Sequence, residues 1–324
     1  MTEVLPEFRV VRPATAQEAA AAHRDNEGAR YLAGGTDLIP NVRRGIGDPD
    51  LLIDLGGIAD LKKIEVGANG ARIGAGVTLA HLAKNAQIAA AYPAVITAAK
   101  SIAGPGHRAA GTVGGNVCLD TRCVFYNQSQ WWRESNNFCL KYKGDTCHVA
   151  PKSTYCHAAY SGDLAPVLLV MGAQVEVTGP EGSRTIALPD LYGEDGQNYL
   201  ALKRGEFVTA VLLPKDVLPT VYEKMRVRGA IDFPLAGVAV ALRRDGDKIG
   251  DLKVAVTGTN SRPFIVEGIE ELVGGPLSDE VLDKIGDLVQ KQVSPMRTTL
   301  VAPFGRRRIA AALARRQASA LFAG

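Results

Sequence analysis

No cysteine lies before position 118 or after position 156. A disulfide framework spread over the fold is thereby excluded, because most of the chain has no thiol to contribute. Long apolar runs are also missing, and no window approaches the roughly 18 residues that a membrane span requires. Neither sign of charge is in large excess: the formal net charge is +3 over 324 residues. Neither nucleic acid nor a membrane surface is therefore expected as a partner. The stretch MTEVLPEFRV lacks the basic-then-apolar succession of a secretory leader. A cytoplasmic protein is expected, and in that compartment clustered thiols serve metals or catalysis more often than disulfides. Internal repeats and low-complexity tracts are absent as well.

What is present is an ordinary globular composition, with 46% hydrophobic and 22% charged residues. The length exceeds one common core and predicts two domains or more. Residues 14–28 read as a helix, and ARYLAGGTDL as a strand entering a glycine turn. A second strand is expected at 51–55. ARIGAGVTLAHLAKN reads as a strand, a turn and a helix capped by Thr78. YPAVITAAKSIAGPGHR reads as a helix stopped by Gly104 and Pro105. DLAPVLLVMGAQVEV gives a helix, a stop at Gly172 and a strand, and FVTAVLLP a strand at 207–214. Beyond Pro219 come strands, a helix capped by Ser278 and a basic final helix containing RRRIAAALARRQ. That last helix is expected to pack an apolar face and keep its arginines solvated. Strands and helices mix in an α+β manner, without the regular rhythm of a doubly wound sheet. The main boundary is expected near 215–220, with a weaker one near 56–60.

Two glycine turns stand out, AGGTD at 33–37 and GTVGGN at 111–116. Consecutive glycines let successive N–H groups point into one concavity suited to phosphate, with Thr36 and Thr112 as further donors. Neither turn is G-x-G-x-x-G and neither carries a Walker lysine, so Rossmann and P-loop sites are poor readings. On chemistry alone, paired glycines are most often only turns.

The cysteines pose the sharper question. Cys118, Cys123, Cys139, Cys147 and Cys156 share a segment that also holds Phe125, Tyr126, both tryptophans (Trp131 and Trp132), Phe138, Tyr142, Tyr155 and Tyr160. That aromatic density predicts a small lobe with its own packing. The last four thiols are spaced C-x15-C-x7-C-x8-C, without the close knuckles of zinc modules or the runs of ferredoxins. Spacing leaves iron–sulfur cluster, zinc and free buried thiols about equally open. His148 and His157 are conceivable zinc ligands, but partly solvated side chains are the simpler reading.

YLAGGTDLIPNVRRG and RAAGTVGGNV, in that order and at that separation, resemble the two pyrophosphate loops of the FAD-binding medium subunits of the molybdenum hydroxylases, the xanthine dehydrogenase and carbon monoxide dehydrogenase relatives. SGDLAPVLLVMGAQVEV and YEKMRVRGAIDFPLAGVAVAL are similar to two further elements of that family, and the resemblance runs from about 8 to 312. It implies an FAD-binding domain of the vanillyl-alcohol-oxidase (PCMH) type over 1–217, with subdomains at about 1–57 and 58–217. An α+β domain of the carbon monoxide dehydrogenase flavoprotein type would follow over 218–324. It also implies site residues. Leu32, Ala33, Gly34, Gly35, Thr36, Asp37 and Leu38 would wrap the pyrophosphate and adenosine. Ile102 and Ala103 would line the flavin. Gly111, Thr112, Gly114, Gly115 and Asn116 would form the second phosphate loop. Asp163 would contact the ribityl or adenosine part, Val208 the ring system, and Lys224 the isoalloxazine. Gly35 is a departure, since relatives often carry Asn or Ser there. Without the resemblance, Asp163 and Lys224 would read as a surface ion pair of small worth.

In most such subunits the second loop runs almost directly into the element containing Asp163. Here about 118–160 is inserted. The insertion resembles that of the 4-hydroxybenzoyl-CoA reductase branch, which implies a [4Fe–4S] cluster held by Cys123, Cys139, Cys147 and Cys156, with Cys118 a small buried hydrophobe. It implies no substrate chemistry on this chain. The partners implied are a molybdenum-cofactor large subunit, a small subunit with two [2Fe–2S] clusters, assembly as a dimer of heterotrimers, and reduced ferredoxin as donor. Two alternatives stand beside it: the FAD subunit of an oxidising molybdenum hydroxylase, and a nucleotide-binding protein with a structural zinc lobe.

Overall fold

The computed structural model describes residues 5–297 and 300–324. The first four residues of MTEVLPEFRV, read above for a leader, lie outside the described residues. The chain opens with β1 (Arg9–Val11), α1 (Ala16–Arg24), β2 (Ala29–Leu32), α2 (Leu38–Arg43) and β3 (Leu51–Asp54). The three strands form a parallel sheet in the order β1-β3-β2. Helix α1 begins where Thr15 accepts the Glu18 N–H and the Glu18 side chain returns to the Thr15 backbone. Its Ala19 and Ala20 are fully buried with Leu51 and Ile53.

Next come β4 (Ile64–Gly67), β5 (Gly70–Gly74) and a run of short helices: α3 (Leu79–Leu82), α4 (Ala86–Ala91), α5 (Pro93–Ser101), α6 (Pro105–Ala110) and α7 (Val113–Val117). The cysteine segment follows, with α8 (Gln130–Ser135) as its helix. The element containing Asp163 then gives α9 (Leu164–Val170), β6 (Gln174–Gly179), β7 (Gly182–Ala187) and β8 (Phe207–Pro214). These strands form an antiparallel sheet in the order β4-β5-β8-β6-β7. The last sheet, order β12-β11-β10-β9, is also antiparallel, from β9 (Thr220–Met225), β10 (Ala236–Asp245), β11 (Lys248–Thr257) and β12 (Phe264–Ile265). Helices α10 (Asp279–Gln292) and α11 (Pro303–Ala323) complete the chain. Val238, Val240, Val254 and Val256 of this sheet share a core with Ile285 and Val289 of α10 and Ala310 and Leu313 of α11. The mixed architecture is α+β, as the pattern predicts.

All seven residues of α9 are buried. A helix apolar on every side belongs at the centre of a protein, and α9 lies against α5, α7, β10 and β11. It joins the middle sheet to the last one. Among the described residues no helix is long and apolar enough to cross a membrane.

Three local expectations need correction. Gly104 and Pro105 do not stop the α5 helix, which has already ended at Ser101; Pro105 instead starts α6, where its missing N–H is harmless. The second glycine turn is a helical turn, α7, because Thr112 caps it by accepting the Gly115 N–H. The arginines of α11 are not all solvated. Arg306 is only 3% exposed. Its guanidinium donates to the carbonyls of Leu235 (2.9 Å), Met296 (2.7 Å) and Gly258, and burial lowers its pKa to about 10.

Replacing Arg306 strips three buried carbonyls of their donor at once. Arg306→Ala is expected to cost about 3 kcal/mol, read as a lower urea midpoint, whereas Arg307→Ala on the exposed side should leave the midpoint unchanged.

Candidate functional site

The first glycine turn joins β2 to α2. The N–H groups of Gly34, Gly35 and Thr36 donate no hydrogen bond to the chain among the described residues. Gly35 is left-handed (φ 69°), a conformation that costs glycine little. A Cβ at Gly34 would collide with the Ala110 carbonyl, so the turn lies directly on the end of α6. Ala33 and Thr36 remain exposed. Successive free N–H groups on an open turn fit a phosphate.

The second turn differs. Gly114 N–H goes to the Ala75 carbonyl (2.8 Å), Gly115 N–H to Thr112 Oγ1 (3.1 Å) and Asn116 N–H to the Thr112 carbonyl (3.0 Å). Most of its donors are thus used within the chain, while the N–H of Thr112 makes no hydrogen bond among the described residues. Its glycines serve close approach instead: a Cβ on Gly114 would strike Ala75, and one on Gly111 would stand 3.3 Å from Thr36 Oγ1. The second turn therefore buttresses the first.

Asn116 has a further task. Its Oδ1 accepts the Leu164 N–H (3.0 Å), satisfying an open donor at the start of α9. The carbonyls of 116–118, left over at the end of α7, accept hydroxyl protons from Tyr160 (3.0 and 2.9 Å), Tyr192 (3.0 Å) and Tyr199 (3.0 Å).

Asp163 precedes α9 and is buried, as is Lys224 on β9; both side chains are 4% exposed, with Nζ 2.9 Å from Oδ1. The surface ion pair expected from the sequence is thus a buried one. Tyr222 donates its hydroxyl to the same carboxylate at 2.6 Å. Burial pushes the Asp163 carboxyl up, with the Lys224 charge and the Tyr222 hydroxyl opposing. Sequence reasoning missed Tyr222, although residues two apart on a strand share a face and Lys224 points to it.

The flavin-side positions are nearby but dissimilar. Ile102 belongs to the core at 8% exposure. Ala103 has φ 45°, and Arg108 holds the turn by donating to the carbonyls of Ile102 (2.7 Å) and Ala103 (3.3 Å). Ile231, also left-handed at φ 51°, packs on Gly104 from the connection between β9 and β10. Val208 is buried in β8 opposite Val177.

The cysteine lobe leaves the domain through a paired neck, where Arg122 and Ala159 exchange two N–H···O bonds of 2.7 Å. Beyond it, Cys123, Cys139, Cys147 and Cys156 line one cavity with Phe125, Tyr126 and Lys141 among others, and Cys118 does not. All five thiols are free. Cys123 accepts N–H groups from Tyr126 and Phe125, and Cys156 accepts one from Ala158 (3.4 Å). Burial nevertheless raises both thiols, Cys156 to about 12. Asn137, Phe138 and Lys143, at φ 55°, 57° and 60°, bend the chain around Cys139. Rings fill the lobe: Phe125 lies tilted against Trp132 and His148, and Phe138 meets Tyr142 edge-on. His148 Nε2 is engaged by the Phe138 carbonyl (2.5 Å) and His157 Nε2 by Ser153 Oγ (2.9 Å). Among the described residues no three His, Cys, Asp or Glu side chains converge to hold a single metal ion.

A family model described as the FAD binding domain in molybdopterin dehydrogenase matches residues 6–216. The chain belongs to this family of FAD-binding medium subunits. A second model, the CO dehydrogenase flavoprotein C-terminal domain, matches residues 220–321. The aldehyde oxidoreductase FAD-binding subunit PaoB of Escherichia coli is 32% identical over 274 residues, covering 81% of this chain and 85% of that one. The carbon monoxide dehydrogenase medium chain of Afipia carboxidovorans is 30% identical, covering 89% and 87%. The solved CO dehydrogenase from Oligotropha carboxidovorans aligns over 99% of both chains with a TM-score of 0.80 and 27% identity. This medium subunit is therefore an FAD-binding oxidoreductase component, and the free N–H groups of its first turn fit the cofactor. The membership makes the chain an oxidoreductase's flavin subunit in place of a stand-alone nucleotide-binding protein.

Two outcomes follow for the medium subunit. Lys224→Met leaves a buried carboxylate without its counter-charge and is expected to cost about 3–5 kcal/mol in urea unfolding; adding Asp163→Asn should restore part of it. Cys118, packed on the main core, has its thiol pushed up to about 12 by burial. Unfolding returns it to about 9, so its contribution to stability is complete below about pH 9 and lost as pH rises toward about 12. Stability measured between those limits should fall less steeply in Cys118→Ala than in the unaltered chain.

Proposed function

We propose that the chain is the FAD- and [4Fe–4S]-carrying electron-transfer subunit of a molybdenum enzyme of the 4-hydroxybenzoyl-CoA reductase type. The observation that carries this reading is the thiol cavity. Four cysteines from separate turns face one space inside an FAD-binding framework, and the fifth stays outside. A zinc ion with Zn–S bonds of about 2.3 Å needs sulfurs that nearly touch. A cube takes one thiolate per corner iron and suits ligands that stand apart around a cavity.

When bound, FAD exchanges one or two electrons and a thiolate-held cube can work at low potential, which together suit a relay to single-electron centres. The chain's own residues would hold these groups. Leu32 to Leu38 would take the pyrophosphate and adenosine, with the N–H groups of Gly34, Gly35 and Thr36 as donors. Gly111, Thr112, Gly114, Gly115 and Asn116 would form the second phosphate loop, with the open N–H of Thr112 as a donor. Asp163 and Lys224 would fix the flavin side together with Ile102, Ala103 and Val208. Cys123, Cys139, Cys147 and Cys156 would be the cluster ligands, with N–H···S bonds from Phe125, Tyr126 and Ala158 stabilising the thiolates. In this reading residues 1–217 form the FAD domain and 218–324 the domain that closes it. The complete enzyme would add a molybdenum-cofactor large subunit and a small subunit with two [2Fe–2S] clusters, as a dimer of heterotrimers. Reduced ferredoxin would supply electrons for the dehydroxylation of 4-hydroxybenzoyl-CoA to benzoyl-CoA.

A second reading draws on the relatives, which are named as dehydrogenases, hydroxylases and oxidoreductases. The subunit would then serve an oxidising hydroxylase and pass electrons outward to NAD or a quinone.

Protein purified without oxygen should contain FAD with about four irons and four acid-labile sulfides per chain. Cys139→Ser should lose or alter the reduced-cluster EPR signal, and Cys118→Ser should keep it. Zinc without iron, or a signal indifferent to every one of the four substitutions, would overturn the assignment. Reduced ferredoxin that fails to reduce the flavin of the intact complex would favour the second reading.

A further inference from the structure

The cysteine lobe grips one element of the FAD domain at both ends. That element is α2, the helix that continues the first glycine turn. At its start, Arg122 pairs with Asp37 and donates to Asn41 Oδ1 at 2.8 Å. At its end, Arg133 of α8 donates to the carbonyls of Arg44 (2.9 Å) and Gly45 (3.0 Å). Arg44 is the residue that caps the helix and Gly45 the one after it, so Arg133 holds the chain where it leaves α2. Neither arginine is a surface residue: the Arg122 side chain is 11% exposed and Arg133 is 2% exposed. The two belong to different parts of the lobe. Arg122 sits in the neck beside Cys123, and Arg133 sits between Cys123 and Cys139, with its guanidinium 5.4 Å from the Tyr142 ring. Neither is engaged to capacity, since Arg122 Nε and Arg133 Nη1 are buried without a partner.

We infer that Arg122 and Arg133 are positioning residues that clamp α2, so that filling the thiol cavity and binding FAD strengthen each other. The inference rests on the cluster and FAD reading above. A ligand that ties Cys123 to Cys139, Cys147 and Cys156 fixes the segment carrying both arginines. The fixed arginines hold α2, and α2 holds the turn whose free N–H groups receive the phosphates. Coupling of this kind is reciprocal, because each ligand lowers the ordering cost of the other.

The test measures FAD affinity by flavin fluorescence quenching on the full chain without oxygen, as isolated and after iron removal by chelation. In the unaltered chain, iron removal is expected to weaken FAD about 10-fold. In the Arg122→Gln/Arg133→Gln chain the two affinities should agree within about 2-fold, both near that of the iron-free unaltered chain. An unaltered chain that binds FAD equally with and without iron overturns the clamp. So does a double variant that keeps the 10-fold difference. If the isolated chain holds no iron, the cluster reading fails separately, and hydrogen exchange then decides the clamp in the metal-free protein. The double variant must show faster exchange over residues 33–44 and weaker FAD binding; unchanged exchange and affinity overturn it. Should the double variant not fold, Arg122→Lys alone is measured in the same way, and an undiminished difference counts against the clamp.

Discussion

A carboxylate buried together with its counter-charge sets the geometry of this molecule. Asp163 stands before α9, and its partners Lys224 and Tyr222 stand on β9, across the junction between the FAD domain and the last sheet. The residues just before it are stitched to the same sheet: Tyr160 exchanges backbone bonds with Asn260 and Gly258, and Thr257 Oγ1 donates to the Gly162 carbonyl at 3.0 Å. A buried ion pair is a poor source of net stability, since an apolar pair of similar volume often does as well. What it supplies is registry. An apolar seam tolerates sliding, whereas two charges in a low-dielectric interior accept only one alignment.

That registry reaches the cofactor site through a short path. Asn116 ties the start of α9 to α7, and three tyrosine hydroxyls tie down the carbonyls at the end of α7. Gly114 of α7 then allows contact with Ala75, Gly111 just before it allows contact with Thr36, and the Ala110 carbonyl at the end of α6 supports Gly34. The first turn is thus the last link in a chain of packed, hydrogen-bonded parts, with three successive N–H groups left open. A binding site needs unsatisfied groups held by satisfied ones, and the two glycine turns divide those roles.

Local motifs made much of this legible. The two glycine turns, the element around Asp163 and the free cysteines are short, ordered signals, and the α+β class follows from the alternation of strand and helix patterns. What was not legible depends on tertiary partners. GTVGGN reads as a turn because glycines disfavour helix. It becomes helical through the Thr112 cap and the distant Tyr160, Tyr192 and Tyr199 hydroxyls. Pro105 ends a helix or begins one according to where the preceding helix has already closed. Lys224 and Arg306 look solvated because charges usually are, and only the carbonyls and carboxylate that surround them in space show otherwise. Arg122 and Arg133 carried no signal at all, since their partners lie on α2, far away in sequence.

The placement of the insertion follows from the same constraints. Extra chain is tolerated where its two ends meet, because closing a loop whose ends are already paired adds little entropic cost. The Arg122–Ala159 bridge provides that meeting point. It lies between the end of α7 and the start of α9, two elements already fixed by Asn116. Lengthening the chain there leaves the FAD framework undisturbed. The lobe could have hung on that neck alone. Instead Arg122 of the neck and Arg133 of α8 both reach α2, and burying a guanidinium is costly unless its donors are used. Such a cost is retained where position matters. The contacts to α2, one from the neck and one from α8, therefore distinguish a thiol cavity held in fixed relation to the FAD turn from one merely tethered nearby.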